Sequence, residues 1–134
     1  MNADGSKPRD LRDRTREFAL RIIKLYCALP KRIESQVIGK QILRSGTAVG
    51  ANYREGLRSR SKSEYAAKLN IGLMEIEETL YWLELLEGSG IVSASRLAAM
   101  KAEVSELTAI FVTLIKRAKL QSGRQGPSGA GAAP

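Results

Sequence analysis

Three glutamates with helical spacing, Glu75, Glu77 and Glu78, are the residues of this chain best suited to bind a metal ion. Glu75 and Glu78 lie three residues apart, so their carboxylates share one face of a helix. Di-iron helical bundles use such inward glutamates but combine them with a Glu-x-x-His motif, and this chain contains no histidine. We therefore interpret the glutamates as solvated or ion-paired side chains, and we predict no metal site and no other cofactor.

The candidate nucleophiles lack the partners that covalent catalysis needs. The serines of segment 59–63 have no histidine that could activate them as a general base. Cys27 is the single cysteine, and a lone cysteine among Leu25, Tyr26 and Leu29 is typical of a small buried hydrophobic residue. We predict that the protein is not an enzyme.

Basic side chains point to a different chemistry, the binding of phosphate groups. The chain carries 22 Lys and Arg against 14 Asp and Glu, and the surplus is concentrated in Lys31–Lys68, which has nine basic and three acidic residues. Such a surplus favours a polyanionic partner without specifying its sequence. The residues that we predict to contact RNA or DNA are Arg44, Arg54, Arg58, Arg60, Lys62 and Lys68. Alternatively, this surface pairs with the acidic segment Asn70–Gly88 of another subunit.

Length and composition indicate a single helical domain. The 134 residues suffice for one core, which must be aliphatic because aromatic residues make up only 5% of the chain. We predict a disordered N-terminus over 1–9, a bundle domain over 10–121 and a disordered tail rich in Gly, Ala, Pro and Ser over 122–134. A lone cysteine, the lack of a signal-peptide pattern and the lack of a long apolar stretch predict a cytoplasmic protein with no membrane partner.

Periodic apolar residues predict an all-α fold, an up-and-down antiparallel four-helix bundle. The first helix is expected over about 10–29. Pro30 ends it or opens the second helix, which runs to about 57. The third helix is expected over about 62–87, and the fourth follows a cap at Ser93 or Ser95 and ends before the tail at 122. Short links between the helices make successive helices antiparallel. Ser61 or Ser63 is expected to cap the third helix, with Glu64 completing a capping box if the cap is Ser61. The residues expected to face inward from the second helix are Ile33, Val37, Ile38, Ile42, Val49 and Tyr53.

The third and fourth helices each show a regular apolar stripe. The stripes are Ala66, Leu69, Leu73, Ile76, Leu80 and Leu83 in the third and Leu97, Met100, Val104, Leu107, Phe111 and Leu114 in the fourth. A second stripe on the third helix follows Ile71, Met74, Tyr81 or Trp82, and Leu85. This is more apolar surface than a small monomeric bundle buries, and it predicts a homo-oligomer.

Small residues in the second helix predict a close helix contact. Gly46 and Gly50 lie four residues apart on one face, and each costs about 1 kcal/mol of helix stability relative to alanine. Close approach of a neighbouring backbone would offset that cost. The predicted oligomer contacts are Gly46, Gly50, Tyr53, Tyr81 and Trp82, and the alternative role for them is to complete the core of the single chain.

The segment LRSGTAVGANYREGLRSRSKSEYAAKLNIGLMEIEETLYWLELL, residues 43–86, resembles the bacterial four-helix bundle proteins encoded within intervening sequences of 23S ribosomal RNA genes. The resemblance covers about residues 18–120 and is densest in VGANYREG and EETLYWLEL. It implies an up-and-down bundle that assembles as a ring-like homopentamer. The chain is similar also to the accessory variability protein of diversity-generating retroelements, which is associated with nucleic acid beside a reverse transcriptase. The resemblance implies no established biochemical activity.

Two functions fit these patterns. In the first, a homo-oligomer binds RNA or DNA backbone through its basic surface, without sequence specificity, and serves another protein as an adaptor. In the second, the oligomer is purely structural or binds only protein, and its basic residues pair with acidic residues of the next subunit.

Overall fold

The computed structural model of the protein describes residues 10–125, with side chains through residue 123. These residues form four α-helices and no strand: α1 (Leu11–Ala28), α2 (Ile33–Leu57), α3 (Lys62–Gly88) and α4 (Ala94–Gln125). The predicted all-α, four-helix fold is confirmed over this range. α4 continues to Gln125, past the predicted domain end at 121. The segments 1–9 and 126–134, which were predicted to be disordered, lie outside the described residues. None of the helices within 10–125 combines the length and hydropathy that a transmembrane segment requires.

The helix ends follow local hydrogen bonding. The Ser61 hydroxyl accepts the N–H of Glu64 at 3.0 Å, so Ser61 is the one of the two candidate residues that caps α3. The Glu64 carboxylate departs from a capping box, because it accepts the N–H of Arg60 at 2.8 Å instead of that of Ser61. Pro30 lies in the link between α1 and α2, and α2 begins three residues later, at Ile33.

Two glycines of α2 allow α1 to pack closely against it. A Cβ atom on Gly46 would lie 2.7 Å from the Ile22 side chain, and one on Gly50 would lie 3.0 Å from Thr15. Both distances are shorter than ordinary van der Waals contact, so only glycine fits without rearrangement. Because the later α2 residue meets the earlier α1 residue, the two helices are antiparallel. The predicted close contact is confirmed, and its partner is a helix of the same chain.

A buried polar pair joins α2 to α3. The hydroxyls of Ser45 and Thr79 lie 2.8 Å apart, and both residues are fully buried. A buried hydroxyl without a partner would lower stability, so the pair fixes how the two helices face each other. Near the end of α2, Gly56 lies against Leu69 of early α3, so these helices are also antiparallel.

The same arrangement holds between α3 and α4. A Cβ atom on Gly72 would lie 2.8 Å from the Phe111 ring, and the Lys101 ammonium lies 2.6 Å from the Glu87 carboxylate. Early α3 thus meets late α4, and late α3 meets early α4. The four helices therefore alternate in direction along the chain.

An ion pair ties the first helix to the last. Arg14 in α1 donates to both carboxylate oxygens of Glu103 in α4, at 2.8 and 3.0 Å. Two parallel N–H···O bonds fix orientation more strictly than a single contact. The hydrogen bonds to Glu103 raise the pKa of Arg14, so the guanidinium remains charged.

Two predicted inward positions at the start of α2 are wrong. Ile33 is 82% exposed and Val37 is 58% exposed, whereas Ser35 and Gly39 are buried. Tyr26 of α1 and Leu29, which follows that helix, lie so close to Gly39 that a Cβ there would be within 2.8 Å of either side chain. Small residues let the helices approach, and this contact rather than aliphatic bulk sets the rotation of α2. The predicted burial of Ile42, Val49 and Tyr53 is confirmed.

Similar shifts occur in the other helices. Leu73 and Leu80 of α3 are only partly buried, and Ile115 replaces the partly buried Leu114 as the inward residue of late α4. Cys27 was expected to be buried, but it is exposed. The core itself is aliphatic, as predicted, around two fully buried rings, Phe18 and Phe111.

Candidate nucleic-acid interface

The glutamates with helical spacing contact an arginine in this structure. Arg44 of α2 donates to Glu75 at 3.3 Å and also to Glu78. The indole N–H of Trp82 donates to the same Glu78 oxygen at 3.0 Å. We refer to these four residues as the carboxylate network. Within residues 10–123, no group of three or more His, Cys, Asp or Glu side chains could hold a metal ion.

The carboxylate network stabilises the charged forms of Arg44 and Glu78. The hydrogen bond from Arg44, and then that from Trp82, lower the pKa of Glu78. The hydrogen bond to Glu78 in turn raises the pKa of Arg44. The pair is therefore charged at neutral pH, and the Arg44 guanidinium already has two carboxylate partners before any ligand arrives.

Lys68, a second predicted phosphate contact, also has a partner in the chain. Its ammonium lies 2.8 Å from the carboxylate of Glu55, across the α2–α3 boundary. Both side chains are well exposed, and such pairs typically stabilise a fold by about 0–1 kcal/mol. A phosphate would have to compete with Glu55 for Lys68.

The remaining four predicted contacts lie together at the end of the bundle where α2 leads into α3. Arg54 and Arg58 are four residues apart, so they share a face at the end of α2. Arg60 precedes α3 and Lys62 begins it. All four side chains are exposed, and none forms an ion pair with another side chain of the described residues.

Two further cations, Arg12 and Arg117, reach the same end from the first and last helices. Arg12 lines a hollow of about 290 Å³ together with Arg54, Leu57 and Arg58. Arg117 lines a larger cavity, of about 630 Å³, together with Arg60 and Lys62. We call the following residues the basic end: Arg12, Arg54, Arg58, Arg60, Lys62 and Arg117.

Arg12 and Arg117 were not among the predicted phosphate contacts, because neither is close in sequence to the basic segment. The predicted up-and-down topology contained the signal. It places the start of α1, the turn after α2 and the end of α4 at one end of the bundle. Cations at these three places therefore belong to one surface.

Carboxylates near the basic end bind backbone groups or Lys68. Asp10 accepts the N–H of Arg12 at 3.0 Å, Glu64 accepts the N–H of Arg60, and Glu55 pairs with Lys68. These contacts stabilise helix termini and the α2–α3 boundary. The guanidinium groups of the basic end are left open to solvent.

A different surface, on the outer side of α3, is apolar. Ile71 is 42% exposed, Met74 59% and Tyr81 52%, and we call these three residues the α3 apolar face. Trp82 is partly buried and packs edge-on against Tyr81, with ring centroids 5.0 Å apart. The other helices of the described chain thus leave Ile71, Met74 and Tyr81 of the predicted second stripe uncovered, whereas Leu85 is partly buried.

The five predicted oligomer contacts divide into two groups. Gly46, Gly50 and Tyr53 are buried in the single chain, the glycines against α1 and Tyr53 against Phe111, with ring centroids 6.2 Å apart. Their alternative role, in the core, is the one that the structure gives them. Tyr81 is exposed and Trp82 partly so, and both remain at the surface.

Comparison with known proteins places the fold in a family. The family model of the 23S rRNA-intervening sequence protein matches residues 9–113, which include α1, α2, α3 and most of α4. A solved structure, that of a protein with unknown function from the S23 ribosomal protein family of Bacteroides thetaiotaomicron, is also similar. The two sequences are 38% identical, the alignment covers 80% of this chain and 99% of the Bacteroides chain, and the TM-score is 0.75. Comparison with curated proteins gives no match. The chain therefore belongs to the 23S rRNA-intervening sequence protein family, as the resemblance in its sequence predicted.

Proposed function

We propose that the protein is a non-enzymatic oligomer that binds the phosphate backbone of RNA or DNA through its basic end. One observation carries this proposal: cations from all four helices converge at one end of the bundle. They have no carboxylate partner within residues 10–123. Three carboxylates of α3, those of Glu75, Glu78 and Glu87, instead pair with cations of neighbouring helices.

Phosphate is the ligand that fits this arrangement. Arginine presents several N–H donors in a planar fork that matches phosphate oxygens, and five of the six residues of the basic end are arginines. Binding of this kind releases counterions and therefore weakens steeply as salt rises. Contacts to phosphates carry no sequence information by themselves, so we expect RNA and DNA of any sequence to bind.

Self-assembly is the second part of the proposal. The α3 apolar face exposes large apolar side chains side by side, which is typical of a surface that another subunit covers. The family resemblance favours five subunits in a ring. A ring would present several basic ends to one strand, and the combined affinity would exceed that of a single end. The oligomer could then hold a strand for another protein as an adaptor.

The alternative, a purely structural oligomer whose basic residues pair with the acidic part of α3 in the next subunit, has less support. Three of the five glutamates in that segment already pair within the chain: Glu75 and Glu78 with Arg44, and Glu87 with Lys101. Only Glu77 and Glu84 remain for a neighbour among them. Two carboxylates per subunit are too few to neutralise six cations.

The test is direct binding of a fluorescently labelled RNA and of a labelled DNA at low salt, measured by anisotropy. Replacing Arg54 and Arg58 with glutamine should weaken binding of both by about tenfold or more, since two phosphate contacts are lost. A control variant, Lys31→Gln with Lys40→Gln, removes the same charge from exposed positions away from the basic end. If wild-type protein binds neither nucleic acid, or if both variants lose affinity equally, the basic end is not the binding surface.

A further inference from the structure

We propose that the larger cavity of the basic end receives one unpaired nucleotide of a single strand. This inference rests on the proposed function and specifies the form of nucleic acid that is bound. The cavity lies where the end of α2 and the start of α3 meet late α4, and its volume is about 630 Å³. That volume lies in the range of about 300–1,000 Å³ in which proteins enclose ligands of nucleotide size.

The groups that line the cavity match the parts of a nucleotide. Arg60, Lys62 and Arg117 supply cations for a phosphate, and Tyr65 supplies an aromatic ring for a base. Aromatic side chains beside a basic groove are the common means of holding single strands, because every base has a face that can stack. Ser59, Ser61 and Gln121 add hydrogen-bonding groups for the sugar and the base edge.

Tyr65 is held in place and is still accessible. The ring is partly buried and packs against the core, so it is oriented before a ligand arrives. Gly56 faces it: a Cβ there would lie only 3.5 Å from Tyr65 Cδ1. The end of α2 thus packs beside the ring and helps to hold it in place. The ammonium of Lys62 lies over one face of the ring, 5.9 Å from the centroid, so a cation is already in contact range of a base or phosphate bound at Tyr65.

The mixed lining distinguishes this site from a simple anion site. Leu57, Leu114 and Ala118 also line the cavity, on the same surface as the cations. An inorganic anion gains nothing from apolar and aromatic walls, whereas a base does. A duplex keeps its bases stacked inside and offers only its backbone, so it can use the cations but not Tyr65.

The test compares single-stranded and double-stranded RNA of the same length and sequence at the same salt. Wild-type oligomer should bind the single strand about tenfold more tightly. Tyr65→Leu should abolish this preference, and Tyr65→Phe should keep it, because phenylalanine retains the ring. A strand that carries 2-aminopurine reports stacking directly, since its fluorescence should be quenched by wild-type protein and by Tyr65→Phe, but not by Tyr65→Leu.

Further variants separate this inference from the proposed function. Arg54 and Arg58 lie outside the cavity, so replacing both with glutamine should lower the affinity for single-stranded and double-stranded RNA equally. Arg117→Gln should lower the affinity for the single strand more than that for the duplex. Arg117 is exposed, so that variant remains informative if Tyr65→Leu does not fold. Equal affinity of wild type for both RNAs would overturn the inference and leave the proposed function standing. Absence of any RNA binding at low salt would overturn both.

A free nucleotide is the other source of the same chemistry. Adenosine monophosphate, added as a competitor, should displace the labelled strand only at concentrations far above that of the strand, because a strand makes additional backbone contacts outside the cavity. If the mononucleotide binds as tightly as the strand, the cavity is a site for a free nucleotide, and the inference of a single-stranded ligand is overturned.

Discussion

Arg60 and Lys62, at the start of α3, have no carboxylate partner within the described residues, whereas Glu75, Glu78 and Glu87 further along the helix each pair with a cation of α2 or α4. The ion pairs of Glu75, Glu78 and Glu87 hold neighbouring helices in register. Arg60 and Lys62 face solvent and are free to meet a ligand. The contrast shows that the number of charged residues in a segment does not tell which of them can bind.

Arg44 and Arg58 illustrate this difference on a single helix. Both belong to the basic segment of the sequence. Arg44 lies opposite Glu75 and Glu78 of α3, whereas Arg58 follows the end of α2, near the start of α3 and away from those two glutamates. Antiparallel packing determines this outcome, because it brings the middle of α2 to the acidic part of α3 and the end of α2 to its basic start.

The largest effect is expected on the α3 apolar face, the proposed contact between subunits. Met74→Glu together with Tyr81→Glu would bury two unpaired charges there, and each buried charge costs several kcal/mol. We expect the mass measured by light scattering at micromolar protein to fall to that of one chain. The control, Ala98→Glu with Ala102→Glu, adds the same charges at exposed positions of α4 and should leave the mass unchanged. A wild-type protein that is already monomeric would contradict the proposed assembly.

A smaller effect is expected from Arg44→Gln, which separates the carboxylate network from the basic end. The variant should lose about 0.2–1 kcal/mol of unfolding free energy, as is typical of an exposed ion pair. Its affinity for RNA should equal that of wild type, since Arg44 is already paired. Urea denaturation and fluorescence anisotropy on the same samples measure the two quantities. A clear loss of RNA affinity with unchanged stability would show that Arg44 binds RNA and does not stabilise the fold, which would contradict its assignment to the carboxylate network.

The smallest effect is the pH dependence of the carboxylate network. Folding lowers the pKa of Glu78 through its bonds to Arg44 and Trp82, so the stabilisation is present above the unfolded-state pKa, near 4.3 for glutamate. It is lost as pH falls through the lower folded-state pKa. We expect the unfolding free energy of wild type, measured by urea denaturation, to exceed that of Glu78→Gln by a few tenths of a kcal/mol at pH 7. This difference should shrink as the pH falls below the unfolded-state pKa; a difference that stays constant from pH 7 into the acid range would show that Glu78 acts through packing alone.

The helices could be predicted from the sequence, but the surfaces that they present could be predicted only in part. Apolar periodicity located all four helices, and Ser61 gave the start of α3 correctly. The rotation of α2 was missed because Ser35 and Gly39, which carry little apolar bulk, take the buried positions. The spacing of large apolar residues cannot reveal a contact in which a neighbouring helix packs directly against the backbone of small residues.

The candidate site was predicted in part for a similar reason. Four cations of the α2–α3 turn are adjacent in sequence and were found together. Arg12 and Arg117 join them only through the topology of the bundle. The partners of Arg44 and Lys68 depend on the register between two helices, which local sequence patterns do not specify.

The central claim, that the basic end binds nucleic-acid backbone, is tested most directly by the salt dependence of RNA binding. For a single strand, the logarithm of the affinity should fall linearly with the logarithm of salt concentration, with a slope of about −0.7 for each phosphate contacted. Replacing Arg58, Arg60 and Lys62 with glutamine should make the slope shallower by about 2, since three contacts are lost. A triple variant with the slope and affinity of wild type would contradict the claim.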